Sequence, residues 1–181
     1  MGITFIIIVL VILAFAWYLY NSIIVAKMRV SEALSQIDVQ LKRRTDLIPN
    51  LIETVKGYAK HERELFEKVT EQRTKLVEAQ GPEEKAKANN ALSQTLKSLF
   101  AVAENYPNLK ASQNFMELQE ELSDTENKIA YARQFYNQTV MDYNTKLKVF
   151  PNVFFVKVLN FKEAEFFAAS EEEKKVVKVS F

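Results

Sequence analysis

The first 26 residues carry no charged side chain, and this feature constrains the fold more than any other. All 24 Lys and Arg and all 23 Asp and Glu of the 181-residue chain lie at or after Lys27. Within residues 3–20, Thr4 is the only residue that is neither aliphatic nor aromatic. A helix over residues 3–22 would be about 30 Å long, which matches a bilayer's hydrocarbon core of about 30 Å. The sequence therefore predicts a transmembrane anchor over residues 1–26. The residues expected to face lipid are Ile3, Phe5, Ile8, Leu10, Leu13, Phe15, Trp17, Tyr18 and Tyr20.

A cleaved secretory signal is the alternative to a retained anchor, but the residues do not favour it. Such a signal has a basic start and an apolar core of about 7–15 residues that ends at small residues. Here the start is uncharged, the apolar run is longer, and Trp17 and Tyr18 stand where cleavage would occur. Basic residues at Lys27 and over 42–44 follow the span. The positive-inside rule then predicts a single pass through the inner, cytoplasmic membrane, with the N-terminus outside and the remainder in the cytoplasm.

Beyond the anchor, apolar residues recur at alternating steps of four and three. From Val30 to Leu76, 11 of the 14 positions in this series are apolar or aromatic. A second series runs over residues 115–143 and a shorter one over 88–106. This period of about 3.5 residues is typical of helices that pack side by side, and only three glycines are present for the turns of a β fold. The sequence predicts an all-α protein, in which an elongated antiparallel bundle of three to four long helices occupies residues 27–150.

Prolines are predicted to begin or end helices in this pattern. Pro49 differs from the others because it lies inside the first series, where it removes an amide donor and crowds the carbonyl of Thr45. We expect the helix to kink or restart there, giving segments of about 28–45 and 47–79. The four helix-breaking positions are Pro49, Pro82, Pro107 and Pro151.

Residues 151–181 change character and form an aromatic-rich C-terminal segment and tail. One interpretation is that the segment folds back over the open end of the bundle and completes its core. The other is that it contacts the membrane surface or another subunit. The tail over residues 174–181 alternates weakly and would be either an exposed strand or disordered. The large apolar side chains of this candidate interface are Phe154, Phe155, Val158, Leu159, Phe161, Phe166 and Phe167.

Groups for catalysis or for metal and cofactor binding are scarce. The chain has no cysteine and a single histidine, His61, which excludes thiolate sites and the paired Glu-x-x-His motifs of a di-iron bundle. The acidic residues over 117–126 would spread around a helix, so we expect no metal site there. Net charge is only +1, and the basic residues alternate with carboxylates, which argues against a nucleic-acid partner. We predict that the protein is not an enzyme and holds no cofactor.

Several polar residues stand at or near core positions of the helices. Such groups are costly when unpaired, and their best-attested use is to fix the register of packed helices. We predict that Arg44 meets a carboxylate of another helix, either Glu126 or Glu120; alternatively, Arg44 extends to water from the edge of a kinked helix. The last predicted long helix also has an unusually large number of side-chain amides close to its apolar series. They are Asn127, Gln134, Asn137, Gln138 and Asn144. The predicted register residues are Arg44, Glu62, Gln72, Glu126 and Asn127.

Three segments closely resemble the LemA family of membrane-anchored proteins from bacteria and archaea. They are SQIDVQLKRRTDLIPNLIETVKGYAKHE, AVAENYPNLKASQNFMELQEELSDTENKIAYARQFYNQTVMDYN and FKEAEFF. The resemblance runs from about Tyr20 to Phe167 and implies one membrane span followed by an antiparallel helical bundle, with no established enzymatic activity. The family is also similar to a magnetosome-membrane protein, which implies a role in organising membrane. At Thr45 this chain departs from relatives that often have His, which weakens any metal-linked role for that position.

These features predict a non-enzymatic scaffold that is anchored in the lipid bilayer. We expect its bundle to form a homo-oligomer that organises or shapes the membrane. The alternative is an adaptor that binds another membrane protein or a peptide along its helical groove.

Overall fold

The computed structural model describes residues 2–59 and 61–167, which form six α-helices and no strand. The predicted all-α fold is confirmed. The predicted tail, from residue 168 onwards, lies outside the described residues. The helices are α1 (Gly2–Lys56), α2 (Arg63–Glu78), α3 (Gly81–Ala103), α4 (Pro107–Lys110), α5 (Gln113–Lys148) and α6 (Asn152–Leu159).

Helix α1 is a single helix of 55 residues, about 80 Å long at about 1.5 Å per residue. Among the described residues it is the helix that is long and apolar enough to cross a bilayer. All nine side chains that the sequence predicts to face lipid are exposed, and the first buried residue along the helix is Leu19. Exposure of so many large apolar groups is unfavourable in water and suits a lipid environment.

The bundle is built on α1 and α5, which run antiparallel along most of their shared length. Lys146 near the end of α5 lies beside Ser22, and Arg43 of α1 lies beside Asp124, so the partners on α5 move towards its start as α1 proceeds. Helices α2 and α3 form a second antiparallel pair, which packs on the half of α1 that is distant from the anchor. One continuous apolar core joins all of them. Its largest fully buried side chains include Ile37, Ile48, Leu51, Leu92, Leu99, Val140 and Tyr143.

The first long helix ends earlier than the sequence series indicates. Helix α1 stops at Lys56, and the chain turns at Gly57 before α2 begins at Arg63. The amides of Tyr58 and Ala59 both donate to the carbonyl of Val55, which closes the turn. The apolar series continues across this turn because α2 folds back and places its own apolar side chains against the same core. The predicted segment over 47–79 is therefore wrong.

The predicted restart near Pro49 is also wrong, because α1 passes through this residue as a continuous helix. Pro49 has no amide proton for the carbonyl of Thr45. Arg73 of α2 supplies the missing donor, with its Nε lying 2.8 Å from that oxygen. A side chain from a neighbouring helix thus replaces the backbone hydrogen bond that the proline removes.

The other three prolines lie at helix starts. Pro82 occupies the first turn of α3, as the sequence predicts. Pro107 begins α4, while α3 has already ended at Ala103. Pro151 directly precedes α6, an eight-residue helix that the sequence analysis did not predict. A proline is tolerated at these positions because the first amides of a helix have no intrahelical partner.

The C-terminal segment divides into two parts. Residues 161–167 return along α5, where Phe167 is buried and Phe161 is half-buried. This part folds back over the bundle, as the first interpretation expected. Helix α6 does not complete the core in the same way, because Phe154, Val158 and Leu159 are exposed.

Candidate functional site

A layer of polar side chains crosses the bundle in the last quarter of α1, and Arg44 is its centre. Arg44 is only 3% exposed. One of its terminal nitrogens pairs with Glu126 of α5, and the other donates to Oδ1 of Asn89 on α3 at 2.9 Å. Its Nε is buried with no protein partner. Burial lowers the pKa of Arg44, and the charge and hydrogen bond of Glu126 oppose that change. One guanidinium therefore joins three helices.

Further ion pairs surround this centre. Arg43 pairs with both Glu121 and Asp124 of α5, and Lys85 of α3 lies 2.6 Å from Asp38 of α1. Exposed pairs of this kind are typically worth about 0–1 kcal/mol each. The surrounding pairs therefore contribute little to stability. Arg44 differs from them, because a buried charge without a partner is strongly destabilising. We call Arg44, Asn89 and Glu126 the polar centre.

The other predicted register residues lie elsewhere. Glu62 is half-buried just before α2 and accepts a hydrogen bond from the Tyr106 hydroxyl at 3.3 Å. Gln72 is half-buried on α2, and Asn127 is exposed on α5. The structure thus brings Arg44 and Glu126 together and leaves the other three outside the polar centre. A role of any of them in fixing register stays a prediction.

An exposed apolar surface lies on the outside of the α1–α5 pair. Val39 of α1 and Tyr131 and Phe135 of α5 are each more than half exposed. They line a groove of about 530 Å³ together with Gln36 and Lys128. We call Val39, Tyr131 and Phe135 the aromatic face. Contiguous apolar side chains on neighbouring helices are typical of surfaces that contact a protein or a membrane.

Residues 161–167 form an extended segment along α5, which we call the strap. The side-chain amide of Asn137 donates to the carbonyl of Phe167 at 3.0 Å and accepts from its amide at 2.8 Å. Asn144 makes the same two bonds with Ala164, at 2.9 and 2.8 Å. Because seven residues are about two helical turns, both asparagines stand on one side of α5. The strap is therefore held through its main chain.

Two tyrosines next to these asparagines complete the contact. The Tyr136 hydroxyl donates to the carbonyl of Glu165 at 2.7 Å, and that of Tyr143 donates to the carbonyl of Lys162 at 3.0 Å. Burial raises the pKa of both phenols, and the charge of Glu165 adds to the rise at Tyr136. Each phenol must keep its proton to make its bond.

The strap is therefore expected to loosen at high pH. A phenol whose pKa is higher in the folded protein stabilises the fold below its ordinary pKa of about 10, and that stability is lost as the pH rises towards the raised value. Each bond is worth about 1 kcal/mol, so the thermal unfolding temperature should fall as the pH rises above about 10. The matched control is the double variant Tyr136→Phe/Tyr143→Phe. It should be less stable than the wild type at pH 8, and its unfolding temperature should fall less as the pH rises. An equal loss in both proteins would contradict the assignment.

Over residues 2–59 and 61–167, no group of three or more His, Cys, Asp or Glu side chains is placed to hold a metal ion. His61 is exposed in the turn between α1 and α2. The polar centre has one half-exposed carboxylate, that of Glu126, and the Ser93 hydroxyl of α3 donates to it at 3.1 Å.

Comparison with known proteins gives one family match and several distant relatives. The model of the LemA family matches residues 33–181. Magnetosome protein MamQ 2 of Paramagnetospirillum magneticum is 26% identical over 174 residues, covering 82% of this chain and 64% of the relative. Protein LemA of Metamycoplasma hominis is 28% identical over 149 residues, covering 80% of this chain and 67% of the relative. Magnetosome protein MamQ of Magnetospirillum gryphiswaldense is 25% identical over 174 residues, with 82% and 64% covered. The chain thus spans somewhat less than two thirds of the length of the magnetosome relatives.

Proposed function

This chain belongs to the LemA family and is a membrane-associated helical protein, and from that premise we propose that it is a non-enzymatic scaffold in the inner, cytoplasmic membrane. Its N-terminus lies outside and its bundle lies in the cytoplasm, because basic residues follow the span. The bundle self-associates into a homo-oligomer that organises the membrane around it.

The aromatic face carries this proposal. Its residues lie on the side of the bundle. Val39 belongs to α1, which continues from the membrane span, and Tyr131 and Phe135 belong to α5, which packs antiparallel along it. Two copies with the same orientation in one bilayer are related by a two-fold axis along the membrane normal, so they can contact each other only through their sides. Val39, Tyr131 and Phe135 stand on such a side. Confinement to one membrane also raises the effective concentration of copies, which favours a modest apolar contact.

Relatives named as magnetosome proteins support the membrane part of the proposal. Those proteins are named for a membrane-bounded compartment, and the similarity covers 82% of this chain. An anchor that continues directly into the bundle also holds each copy upright beside its neighbours. Assembly of such copies would impose their spacing on the lipid between them.

Glutamate substitutions in the aromatic face should disrupt self-association. We expect Tyr131→Glu/Phe135→Glu to weaken it at least about 30-fold, because each exposed aromatic anchor of an interface typically contributes about 2 kcal/mol. The measurement is the mass distribution of the full chain in detergent, together with crosslinking in membranes. Val77→Glu is the matched control, since Val77 is equally exposed but lies on α2. A wild-type chain that stays monomeric at high concentration in both settings would overturn the proposal.

An adaptor remains the second candidate, and the strap favours it. The face of α5 around Asn137 and Asn144 binds an extended peptide through main-chain hydrogen bonds, so its chemistry suits other extended segments as well. Copurification of one heterologous membrane protein in stoichiometric amount would support this function over self-association.

A further inference from the structure

Helix α6 lies at the end of the bundle that is nearest the membrane anchor. The Lys146 ammonium donates to the Ser22 hydroxyl at 2.9 Å, so this part of α5 is level with Ser22. Helix α5 continues in the direction of the anchor for two more residues before it ends at Lys148. On the far side of α6, the ring of Phe161 lies 6.2 Å from the ring of Tyr20. Both ends of α6 are therefore placed near the level of residues 20–22.

That level coincides with the boundary of the bilayer. Every residue from 2 to 18 is exposed or half-exposed, and burial by the bundle begins only at Leu19. A span that starts at Ile3 reaches a thickness of about 30 Å at about Ser22. The bundle thus meets the lipid where α6 leaves α5.

Exposed apolar side chains are concentrated on α6 and just before it. Phe154 and Val158 are four residues apart on α6 and so lie on one side of it, and Phe150 stands two residues before the helix; we call these three residues the stripe. Phe154 is 66% exposed, Phe150 79% and Val158 82%. The rings of Phe150 and Phe154 contact each other edge to face, with centroids 6.1 Å apart. Such a stripe is unfavourable in water, and it lies at the level where the span meets the boundary of the bilayer.

We propose that α6 lies in the interfacial layer of the bilayer that holds α1, with Phe150, Phe154 and Val158 inserted among the lipid chains. Two observations select lipid as the occupant: α6 lies at the level of residues 20–22, where the span leaves the bilayer, and its large apolar side chains are exposed there. Short helices with an apolar side bind membranes in this way. The bundle is then held to the membrane at two places, the span and α6. The proposal does not depend on self-association, although it does depend on the membrane span.

Depth-dependent quenching in nanodiscs tests this proposal. The chain has no cysteine, so single substitutions Phe154→Cys and Val158→Cys can each carry one fluorophore in the full-length protein. Phosphatidylcholine nanodiscs that hold one copy would contain lipids with a spin label on the upper acyl chain. We expect quenching at 154 and 158 to be about threefold or more above that at Val77→Cys, and iodide in the water to quench them less.

The controls separate the possible results. Tyr18→Cys reports on the span itself. If the labelled lipid quenches the fluorophore at position 18 but not those at 154 and 158, the inference is overturned while the anchor stands. Absence of lipid quenching at Tyr18 would instead remove the span and, with it, the premise. Protection of 154 and 158 that appears only when two copies share a disc would show that a second chain covers the stripe, and would also overturn the inference.

Discussion

Replacing Glu126 by alanine is expected to lower the free energy of unfolding by about 2–3 kcal/mol, because it leaves a buried guanidinium with one uncharged partner. Arg44 would keep only its bond to Asn89, and its Nε already has no protein partner. Breaking a fully buried ion pair typically costs about 3–5 kcal/mol. Glu126 is 49% exposed, and water replaces part of what it provides, so a smaller loss is expected. Chemical denaturation in detergent, followed by helical circular dichroism, measures the change.

Two further variants distinguish this explanation from a general effect of removing surface charge. Glu121→Ala is the matched control, because Glu121 lies five residues away on α5 and pairs with the half-exposed Arg43. Its cost should stay below about 1 kcal/mol. Arg44→Met/Glu126→Ala removes the buried charge together with its partner, and it should be more stable than Glu126→Ala alone. Equal losses of unfolding free energy for Glu126→Ala and Glu121→Ala would show that the polar centre contributes no more to stability than an exposed ion pair.

Replacing Arg73 by methionine is expected to cost about 1–3 kcal/mol, because it leaves the carbonyl of the buried Thr45 without a donor. Arg73 Nε is the group that replaces the amide missing at Pro49. In the variant Pro49→Ala the backbone amide of residue 49 returns, and it can donate to Thr45 as in any helix. The same Arg73→Met change should then cost less than about 0.5 kcal/mol, since the carbonyl stays paired.

This cycle of four proteins measures the coupling between Pro49 and Arg73 directly. Arg63→Met is the matched control on α2, because Arg63 pairs only with the exposed Glu67 of the same helix in the contacts described. Its cost should be small and should be the same with proline or alanine at position 49. An equal cost of Arg73→Met in both backgrounds would mean that the Thr45 carbonyl gains nothing from Arg73.

The long helices follow from the sequence because their signals are local and repeated. The uncharged apolar run predicts the first part of α1, and the spacing of apolar residues predicts α5 over most of its length. The end of α1 does not follow from the same signal, since α2 returns to the same core and continues the series. Gly57 was the available local signal for that turn. The spacing of apolar residues indicates that helices pack together, but it does not indicate where the chain turns from one helix into the next.

Pro49 shows a second limit of local rules. The rule that a proline interrupts a helix assumes that the freed carbonyl finds no other donor. Here the donor comes from Arg73, 28 positions later in the chain. Only the packing of α2 against α1 reveals it.

The polar centre was partly predictable. A charge at a core position needs an opposite charge, which pointed to Glu126 or Glu120 as partners of Arg44. Asn89 was missed because the apolar series selected the neighbouring Ala88, although Ala88 is half-buried and Asn89 is buried. The strap had one visible signal, the amides at Asn137 and Asn144. Their target could not be predicted, because main-chain groups are the same in every residue.

The uninterrupted course of α1 has a mechanical consequence. Any tilt of the span that compensates for a thinner bilayer is carried outward by the same helix, whose end at Lys56 stands about 50 Å beyond Ser22. A tilt of about 10° displaces that end sideways by about 9 Å. A change in local bilayer thickness therefore changes the distance between the Lys56 ends of α1 in adjacent molecules.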